Sequence, residues 1–378
     1  CNFASDVFSR AIFERYVDRV CSDVAAIVTV AEEIGGQIER EVDSIYLGGG
    51  TPTVLEASQL RRMFEAVRQQ FSVSPDAEIT VECAPGTLTP SVLDALLNCG
   101  LNRVSLGVQS FVDAEAAAVG RLHKRSTVLE EIARLRAAGI TNLNIDLIAG
   151  LPHQTAETWQ LSLEHALATQ APHVSVYMLE VDEDSRLGRE VIAGSTRYHA
   201  HFVPDEAATA DFYVAACERL EHAGIQQYEI SNFAHPDSEA RHNLKYWTRQ
   251  PYFGFGVDAH SMLVSASPEA VAIRFATADV LEKYVAGSPV QRTVVSFAAS
   301  LEECFFLGLR LNRGVDLREV AATFGQQATE NLGPAIAESI HHGLLLRDGN
   351  CIRLTPRGRL FSNEVFQSFL APQLGGST

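Results

Sequence analysis

The chain has 378 residues, of which 46% are hydrophobic and 20% are charged, a balance typical of a folded globular protein. Its formal charge of −17 argues against non-specific binding to nucleic acid, which requires a basic surface. No run of about 18 apolar residues is present, which argues against a membrane span, and seven scattered cysteines favour a reducing, cytoplasmic setting over a disulfide scaffold.

Amphipathic helices and apolar strands alternate along the first half of the chain. A helix over 11–34 precedes a short apolar strand that ends in the glycines 48–50. Such alternation is typical of βαβ units and predicts a parallel sheet, either doubly wound or rolled into a barrel. The further predicted strands are 78–83, 103–109, 142–150 and 173–180, and the helices between them are 57–71, 89–99, 126–139 and 155–169.

The pattern loosens after residue 185. A helix near 205–223 leads into 228–261, which is dense in aromatic residues, glycine and histidine. From about residue 295 short helices precede two apolar runs on either side of Asp348-Gly349, which predicts a hairpin. Three helices and a hairpin predict a winged-helix-like unit, and the acidic charge favours a packing or partner role over DNA binding.

Candidate functional residues lie at or near the predicted carboxyl ends of four strands. These residues are Gly50, Glu82, Gln109 and Asp146. Each alone could be structural, for example as the cap of the next helix, but parallel α/β proteins build their sites at this edge of the sheet. Together the four predict a functional site there.

The stretch GGGTPT, residues 48–53, first suggests a phosphate loop. No lysine follows the glycines as a P-loop requires, and the spacing does not fit a dinucleotide-binding turn. We therefore expect the glycine backbone to bind a small ligand group at the end of the strand, with Thr51 and Pro52 fixing the turn.

Five motifs in order resemble those of the radical S-adenosylmethionine proteins of the oxygen-independent coproporphyrinogen oxidase type. They are GGGTPT, VECAPGTL with Glu82, SLGVQSF with Gln109, VGRLH with Arg121 and NIDLIAGLPHQT with Asp146. The resemblance extends through nearly the whole chain. It implies an α/β fold consisting of a partial (β/α)6 parallel barrel followed by a small C-terminal winged-helix-like α domain.

The resemblance also implies an iron–sulfur site. This family holds a 4Fe-4S cluster on the three thiolates of C-x-x-x-C-x-x-C. Cys1 fits the third of these cysteines, so we expect the other two, together with the first barrel strand, just upstream of residue 1.

S-adenosylmethionine is the second cofactor that the resemblance implies. Glu82 is expected to accept hydrogen bonds from the methionine ammonium and Arg121 to pair with the carboxylate. Gln109 and Asp146 are expected to bind the ribose hydroxyls. The full set assigned to this cofactor is Gly49, Gly50, Thr51, Glu82, Gln109, Arg121 and Asp146.

Two local features indicate which branch of the family the chain resembles. Phe3 stands where the decarboxylating oxidase carries a fourth cysteine, and HNLKYW, residues 242–247, matches the H-N-x-x-Y-W motif of the HemW-like branch of heme-binding proteins. His242 is therefore the first candidate for a heme ligand, with Tyr246 and Trp247 flanking the macrocycle and His260 as second choice. Without the resemblance, a helix-capping His-Asn pair with core aromatics is the simpler interpretation.

The predicted function is that of a cytoplasmic heme chaperone that binds a cluster, S-adenosylmethionine and heme and delivers heme to acceptor proteins. A membrane-associated acceptor and a homodimer stay open. Two alternatives are an oxygen-independent coproporphyrinogen III oxidase, which converts two propionates to vinyls, and a metal-independent barrel enzyme in which Cys1 is incidental. The expected division is 1–190 for the barrel, 191–290 for its extension with the HNxxYW region, and 291–378 for the C-terminal domain.

Overall fold

The computed structural model describes residues 10–180 and 200–370. Among them the main sheet has seven strands in the order β1-β2-β3-β4-β5-β7-β6. Strands β1 to β5 are parallel, each paired with the next in sequence, whereas β7 runs antiparallel to β5 and β6 antiparallel to β7. The strands are β1 (Glu41–Leu47), β2 (Ser72–Cys83), β3 (Arg103–Gln109), β4 (Asn142–Ala149), β5 (His173–Met178), β6 (Gln226–Gln227) and β7 (Asn232–Ala234).

Helices connect the parallel strands and cover one face of the curled sheet. These helices are α1 (Arg10–Ile34), α2 (Ala57–Gln70), α3 (Pro90–Asn98), α4 (Asp113–Ala118), α5 (Arg125–Ala137) and α6 (Ala156–Ala168), with a 3-10 turn at Pro52–Val54. A 3-10 turn at Ala200–Phe202 and a helix at Glu206–His222 precede β6. The predicted partial parallel barrel is confirmed, and its strands lie close to the predicted residues except that β2 begins at Ser72 rather than at residue 78.

The two faces of the sheet differ in polarity because alternate residues of a strand point to opposite sides. One set is apolar, fully buried and packed in the main core, and includes Val81, Val104, Leu106, Leu143, Ile145 and Val174. The other set points into the barrel and is polar in every parallel strand after β1. It includes Thr80, Glu82, Arg103, Ser105, Asn144, Asp146, His173 and Ser175.

A second, antiparallel sheet was not predicted. Its strands are β8 (His260–Val264), β9 (Ala272–Ala276) and β10 (Gln291–Val295), in the order β10-β9-β8. The helices Arg241–Trp247 and Leu281–Val285 lie before and within this segment. Leu263 and Phe275 of this sheet pack with α1 in a shared apolar cluster, so the sheet closes one side of the barrel.

The C-terminal residues form the predicted winged-helix-like unit. Strands β11 (Val315–Asp316), β12 (Leu345–Asp348) and β13 (Cys351–Leu354) form a sheet in the order β11-β13-β12, and the β12-β13 hairpin is confirmed. The accompanying helices are Phe297–Gly308, Leu317–Phe324, Gln326–Asn331, Gly333–His341, Pro356–Leu360 and Ser362–Gln367. No helix in the described parts of the chain is long and apolar enough to cross a bilayer.

Candidate functional site

Glu82 lies at the end of β2 and is held by two donors from the neighbouring strand and its loop. The Tyr46 hydroxyl donates to Glu82 Oε1 at 2.8 Å, and the Gly49 backbone N–H donates to Glu82 Oε2 at 3.0 Å. Gly49 has a φ of 98°, a backbone conformation that glycine adopts without strain. Burial raises the pKa of Glu82, and the charge of Asp146 adds to this effect. The glycine loop and Glu82 therefore form one unit, as the motif order predicts.

Asp146 lies deeper in the barrel, within β4 rather than at its end. Its carboxylate accepts hydrogen bonds from Ser105 Oγ at 2.9 Å and from Asn144 Nδ2 at 2.7 Å. Burial raises the pKa of Asp146, although these hydrogen bonds oppose the shift. The carboxylate is consequently fixed in position at the interior face of the sheet.

Arg121 and Gln109 complete the group predicted to bind S-adenosylmethionine. Burial lowers the pKa of Arg121, while the charges of Asp146 and Glu82 act in the opposite direction, so the guanidinium lies within electrostatic reach of both carboxylates. Gln109 ends β3 beside an irregularity in the β3-β4 register and has a φ of 68°. Such left-handed backbone at a residue other than glycine costs about 1–3 kcal/mol and is concentrated at functional sites.

The predicted set thus converges at one end of the barrel. Gly49, Gly50 and Thr51 follow β1, and Thr51 immediately precedes the 3-10 turn at Pro52–Val54. The donor set fits a zwitterionic methionine tail, because a carboxylate held by a backbone N–H and a hydroxyl lies within electrostatic reach of a guanidinium. A diol is matched by the amide of Gln109 and the carboxylate of Asp146.

His242 lies on the opposite side of β1 from the helical layer and has partners on both ring nitrogens. Nδ1 lies 3.0 Å from Ser44 Oγ, and Nε2 lies 2.9 Å from Tyr246 Oη. The ring of Tyr46 stacks on it at 5.0 Å between centroids, and Tyr246 contacts it edge-on at 5.2 Å. Burial lowers the pKa of His242 to about 4, so the imidazole is neutral near pH 7.

The helix Arg241–Trp247 is anchored by a carboxylate from the barrel. Glu78 of β2 accepts from the backbone N–H of His242 through Oε1 and from that of Arg241 through Oε2, both at 3.0 Å. A carboxylate at this end of a helix satisfies free N–H groups and complements the helix dipole. The cap that the simpler interpretation assigned to the His-Asn pair is therefore supplied by Glu78.

A cavity of about 980 Å³ extends from Gly49 and Glu82 to His242 and Tyr246, whereas the other residues predicted to bind S-adenosylmethionine are not in its wall. All residues of β1 line it, which places the unpaired edge of this strand in the cavity wall. Glu82 and Gly49 lie at one part of the wall and His242 and Tyr246 at another. The remaining wall combines a charged part with Glu39, Glu41, Asp43 and Lys245 and an apolar part with Val20, Phe64, Phe71, Phe253, Phe255 and Leu263.

The remaining heme candidates have different surroundings. His260 also lines the cavity, and its side chain is largely exposed, with Nε2 3.8 Å from Asp258 Oδ1. Trp247 is not in the cavity wall, since the guanidinium of Arg310 covers its ring at 4.3 Å from the centroid. The structure therefore brings His242 and Tyr246 together and separates Trp247 from the cavity.

The predicted iron–sulfur ligand Cys1, like the branch-defining Phe3, lies outside the described residues. Within the described ranges, no group of three or more His, Cys, Asp or Glu side chains has the arrangement of a metal site. The described side chains alone thus supply no cluster site.

Sequence reasoning missed the residues that support the candidates. Glu78, Arg103, Ser105, Asn144 and Ser175 all point into the barrel and hold or surround the predicted groups. A usable signal was present, because polar residues at alternate positions within otherwise apolar strands mark a polar interior face.

Two family profiles match separate parts of the chain. The profile of the radical SAM superfamily matches residues 1–166, and that of the HemN C-terminal domain matches residues 298–361. The heme chaperone HemW of Lactococcus lactis is 32% identical over 374 residues, which cover 98% of this chain and 93% of that protein. HemW of Bacillus subtilis is 35% identical and covers 88% and 86%, respectively.

A solved structure shares the fold over the whole length. Coproporphyrinogen III oxidase (HemN) from Escherichia coli superposes with a TM-score of 0.80 at 23% sequence identity, covering 98% of this chain and 86% of that one. At this identity the similarity establishes the fold and leaves the activity to be argued from the site.

Proposed function

The chain belongs to the HemW heme chaperone family of radical SAM proteins, and from this premise we propose that it binds heme at His242 and delivers it to acceptor proteins. The observation that carries the proposal is a neutral histidine in the wall of a large cavity that has an apolar part. Imidazole is a common axial ligand of heme iron, and only its neutral form has a lone pair to donate.

The surroundings of His242 suit this role. The Ser44 hydroxyl is the partner of Nδ1 and the Tyr246 hydroxyl is the partner of Nε2, so both tautomers of the ring are satisfied. When one nitrogen exchanges its hydroxyl partner for iron, the hydrogen bond at the other nitrogen keeps the ring in orientation. Because the helix is anchored by Glu78, the ring is presented on a rigid element. His260 is the second candidate, and its exposed ring makes it the less constrained of the two.

The end of the barrel is proposed to hold S-adenosylmethionine, with a 4Fe-4S cluster on Cys1 and two further cysteines. When bound, these groups supply one-electron redox chemistry. In this proposal Glu82 and the backbone of the glycine loop orient the methionine amine, Arg121 neutralises its carboxylate, and Gln109 and Asp146 hold the ribose. The barrel face around them limits access of water.

The remaining assignments are proposals of the same kind. We place the protein in the cytoplasm, with heme-accepting proteins as partners, and keep open a membrane-associated acceptor and a homodimer. The division at about residues 190 and 290 is retained as a prediction.

An oxygen-independent coproporphyrinogen III oxidase is the second candidate because the HemN fold extends over nearly the whole chain. An anaerobic assay of the reconstituted protein with coproporphyrinogen III separates the two functions. We expect no vinyl product, and formation of protoporphyrinogen would refute the chaperone proposal.

Heme binding itself is tested by titrating heme into the protein and into His242→Ala. We expect a saturable complex whose Soret band shifts in the variant because the axial ligand changes. His341→Ala, at an exposed helix end, serves as the control and is expected to leave the spectrum unchanged. An identical spectrum for His242→Ala and a changed one for His260→Ala would move the ligand to His260.

A further inference from the structure

His173, the first residue of β5, is a fully buried histidine with a partner on each ring nitrogen. Nδ1 lies 2.6 Å from Asn144 Oδ1, and Nε2 lies 2.9 Å from the hydroxyl oxygen of Tyr228. Burial lowers the pKa of His173 well below its ordinary value, and the charge of Arg103 adds to this effect, so the ring is neutral near pH 7. A neutral imidazole donates through one nitrogen and accepts through the other, so the two contacts have opposite directions.

The direction of these hydrogen bonds follows from Asp146. A carboxylate only accepts, so the atom of Asn144 that lies 2.7 Å from Asp146 Oδ1 is the donor Nδ2. The hydroxyl of Ser105 donates to Asp146 at 2.9 Å, and its oxygen accepts from the same Nδ2 at 2.8 Å. Oδ1 of Asn144 therefore faces His173, and Nδ1 of that ring carries the proton.

On the other side of the ring, the hydrogen bonds reach the helix Arg241–Trp247. With the proton on Nδ1, Nε2 accepts from the Tyr228 hydroxyl, which stays protonated because burial raises its pKa. The oxygen of this hydroxyl accepts from the backbone N–H of Ala240 at 3.3 Å. Ala240 immediately precedes the helix on which His242 is presented. One directed series of hydrogen bonds thus runs from the start of this helix to the carboxylate of Asp146.

We propose that His173 is a positioning residue shared by the two proposed ligand sites. Its Nδ1–H fixes the Asn144 amide that holds Asp146, and its Nε2 fixes the Tyr228 hydroxyl that holds the start of the helix. The step rests on the proposed function, which assigns Asp146 to S-adenosylmethionine and His242 to heme.

The cavity does not provide this link, because Asp146 is not in its wall. The hydrogen bonds through His173 join the two sites inside the barrel instead. A role in packing alone is the competing interpretation, in which His173 stabilises the fold and neither site depends on it.

The first measurement compares two variants of the reconstituted protein. Tyr228→Phe keeps the ring and removes the hydroxyl, so it breaks the series on the helix side only. We expect its dissociation constant for heme to rise at least about fivefold, and that for S-adenosylmethionine to stay within about twofold of the wild type. His173→Leu breaks the series on both sides, so both dissociation constants should rise at least about fivefold.

Tyr213→Phe is the matched control, because it removes another buried hydroxyl, which donates to the carbonyl of Ile230 at 2.6 Å. It should lower the melting temperature as Tyr228→Phe does and leave both dissociation constants unchanged. A role in stability alone would lower melting temperatures without separating the two ligands. Unchanged affinities in His173→Leu, or equal losses for both ligands in Tyr228→Phe, would overturn the proposal.

The second measurement needs neither ligand and therefore separates failure of this proposal from failure of the proposed function. In protein labelled with ¹⁵N-histidine, NMR at pH 7 should show His173 protonated at Nδ1 and not at Nε2, its signals being identified by their loss in His173→Leu. Hydrogen exchange at the Ala240 N–H should be at least about tenfold faster in Tyr228→Phe than in the wild type.

A proton on Nε2, or equal exchange rates, would overturn the proposal. The expected NMR and exchange results in a protein that binds no heme would support the hydrogen-bond series and refute only the proposed function.

Discussion

His242 is buried and has two hydroxyl partners, and it is burial that sets its protonation state. Its pKa falls from an ordinary 6.5 to about 4, mainly because burial disfavours the charged ring, with the positive charges of Lys245 and Arg103 adding to the effect. Glu82 and Asp146 shift in the opposite sense for the same reason, since burial raises the pKa of a carboxyl group. At the residue scale, the candidate site is thus a set of buried ionisable groups with displaced pKa values.

The lowered pKa predicts how stability depends on pH. Between pH 6.5 and about 4 the unfolded chain binds a proton at His242 that the folded chain does not, so the free energy of unfolding falls as the pH falls through this window. This contribution is on the order of 3 kcal/mol. We expect the difference in unfolding free energy between pH 7 and pH 4.5, measured by urea denaturation, to be smaller in His242→Gln than in the wild type.

Tyr246→Phe is the matched control for this experiment. It removes a partner of His242, but burial raises the pKa of Tyr246 to about 12, so its hydroxyl does not titrate in the window. The variant should therefore keep most of the wild-type pH dependence. Equal pH dependence in His242→Gln and the wild type would contradict a neutral, buried His242.

At the scale of elements, the glycine loop after β1 is in direct contact with the end of β2. A side chain at Gly48 would place its Cβ 2.6 Å from the ring of Tyr46 and 2.8 Å from Glu82 Oε1. Close approach of the two elements, rather than a special backbone angle, thus explains why glycine is required there. The requirement ties the loop geometry to the position of the carboxylate.

Gly48→Ala should consequently weaken S-adenosylmethionine binding through displacement of Glu82. For the reconstituted protein we expect a dissociation constant at least about tenfold higher by calorimetry, approaching the roughly 30-fold, or about 2 kcal/mol, expected for Glu82→Ala. Gly139→Ala is the control, since its φ of 90° makes substitution strained but no atom lies within 4 Å of the added Cβ. It should lower stability and keep the affinity, and a wild-type affinity in Gly48→Ala would refute the coupling.

Some elements of the fold could be predicted from the sequence, and others could not. Strands β1 to β5 and the helices between them were predictable because each has its own periodicity and its own turn residues. Strands β8 to β10 were not, since each has only five residues and the sheet is placed by contacts between distant parts of the chain, such as those of Leu263 and Phe275 with α1. The motifs likewise located Glu82 and Asp146. Glu78 and Arg103 lie outside the motifs, and although alternation marks them as interior positions, only the register of neighbouring strands shows what lies beside them.

At the scale of the whole molecule, two contacts join the barrel to the C-terminal unit: an ion pair between Glu229 and Arg310 and a backbone hydrogen bond between Ile230 and Arg310. Glu229 is fully buried, and its Oε2 lies 3.6 Å from Arg310 Nη2. The backbone of Ile230 donates to the carbonyl of Arg310 at 3.1 Å, and Ile230 belongs to the apolar core of the C-terminal unit. Because Arg310 also covers Trp247, this contact links the C-terminal unit to the helix that carries His242.

Arg310→Met leaves the carboxylate of Glu229 buried without its cation and should cost about 3–5 kcal/mol of unfolding free energy, whereas the double variant with Glu229→Gln should recover part of the loss. A double-mutant cycle by urea unfolding should give a coupling of about 1–3 kcal/mol. The fluorescence of Trp247 should change in Arg310→Met because the guanidinium leaves its ring.

Arg62→Met is the matched control, since its partners Glu14 and Asp18 are exposed and such pairs contribute at most about 1 kcal/mol. If Arg310→Met lost no more stability than Arg62→Met, the C-terminal unit would be held by its apolar contacts alone. If the stability loss occurred without any change in heme affinity, the unit would be structurally joined to the barrel but not coupled to the site. We expect both stability and heme affinity to fall, because the same arginine holds the helix on which His242 is presented.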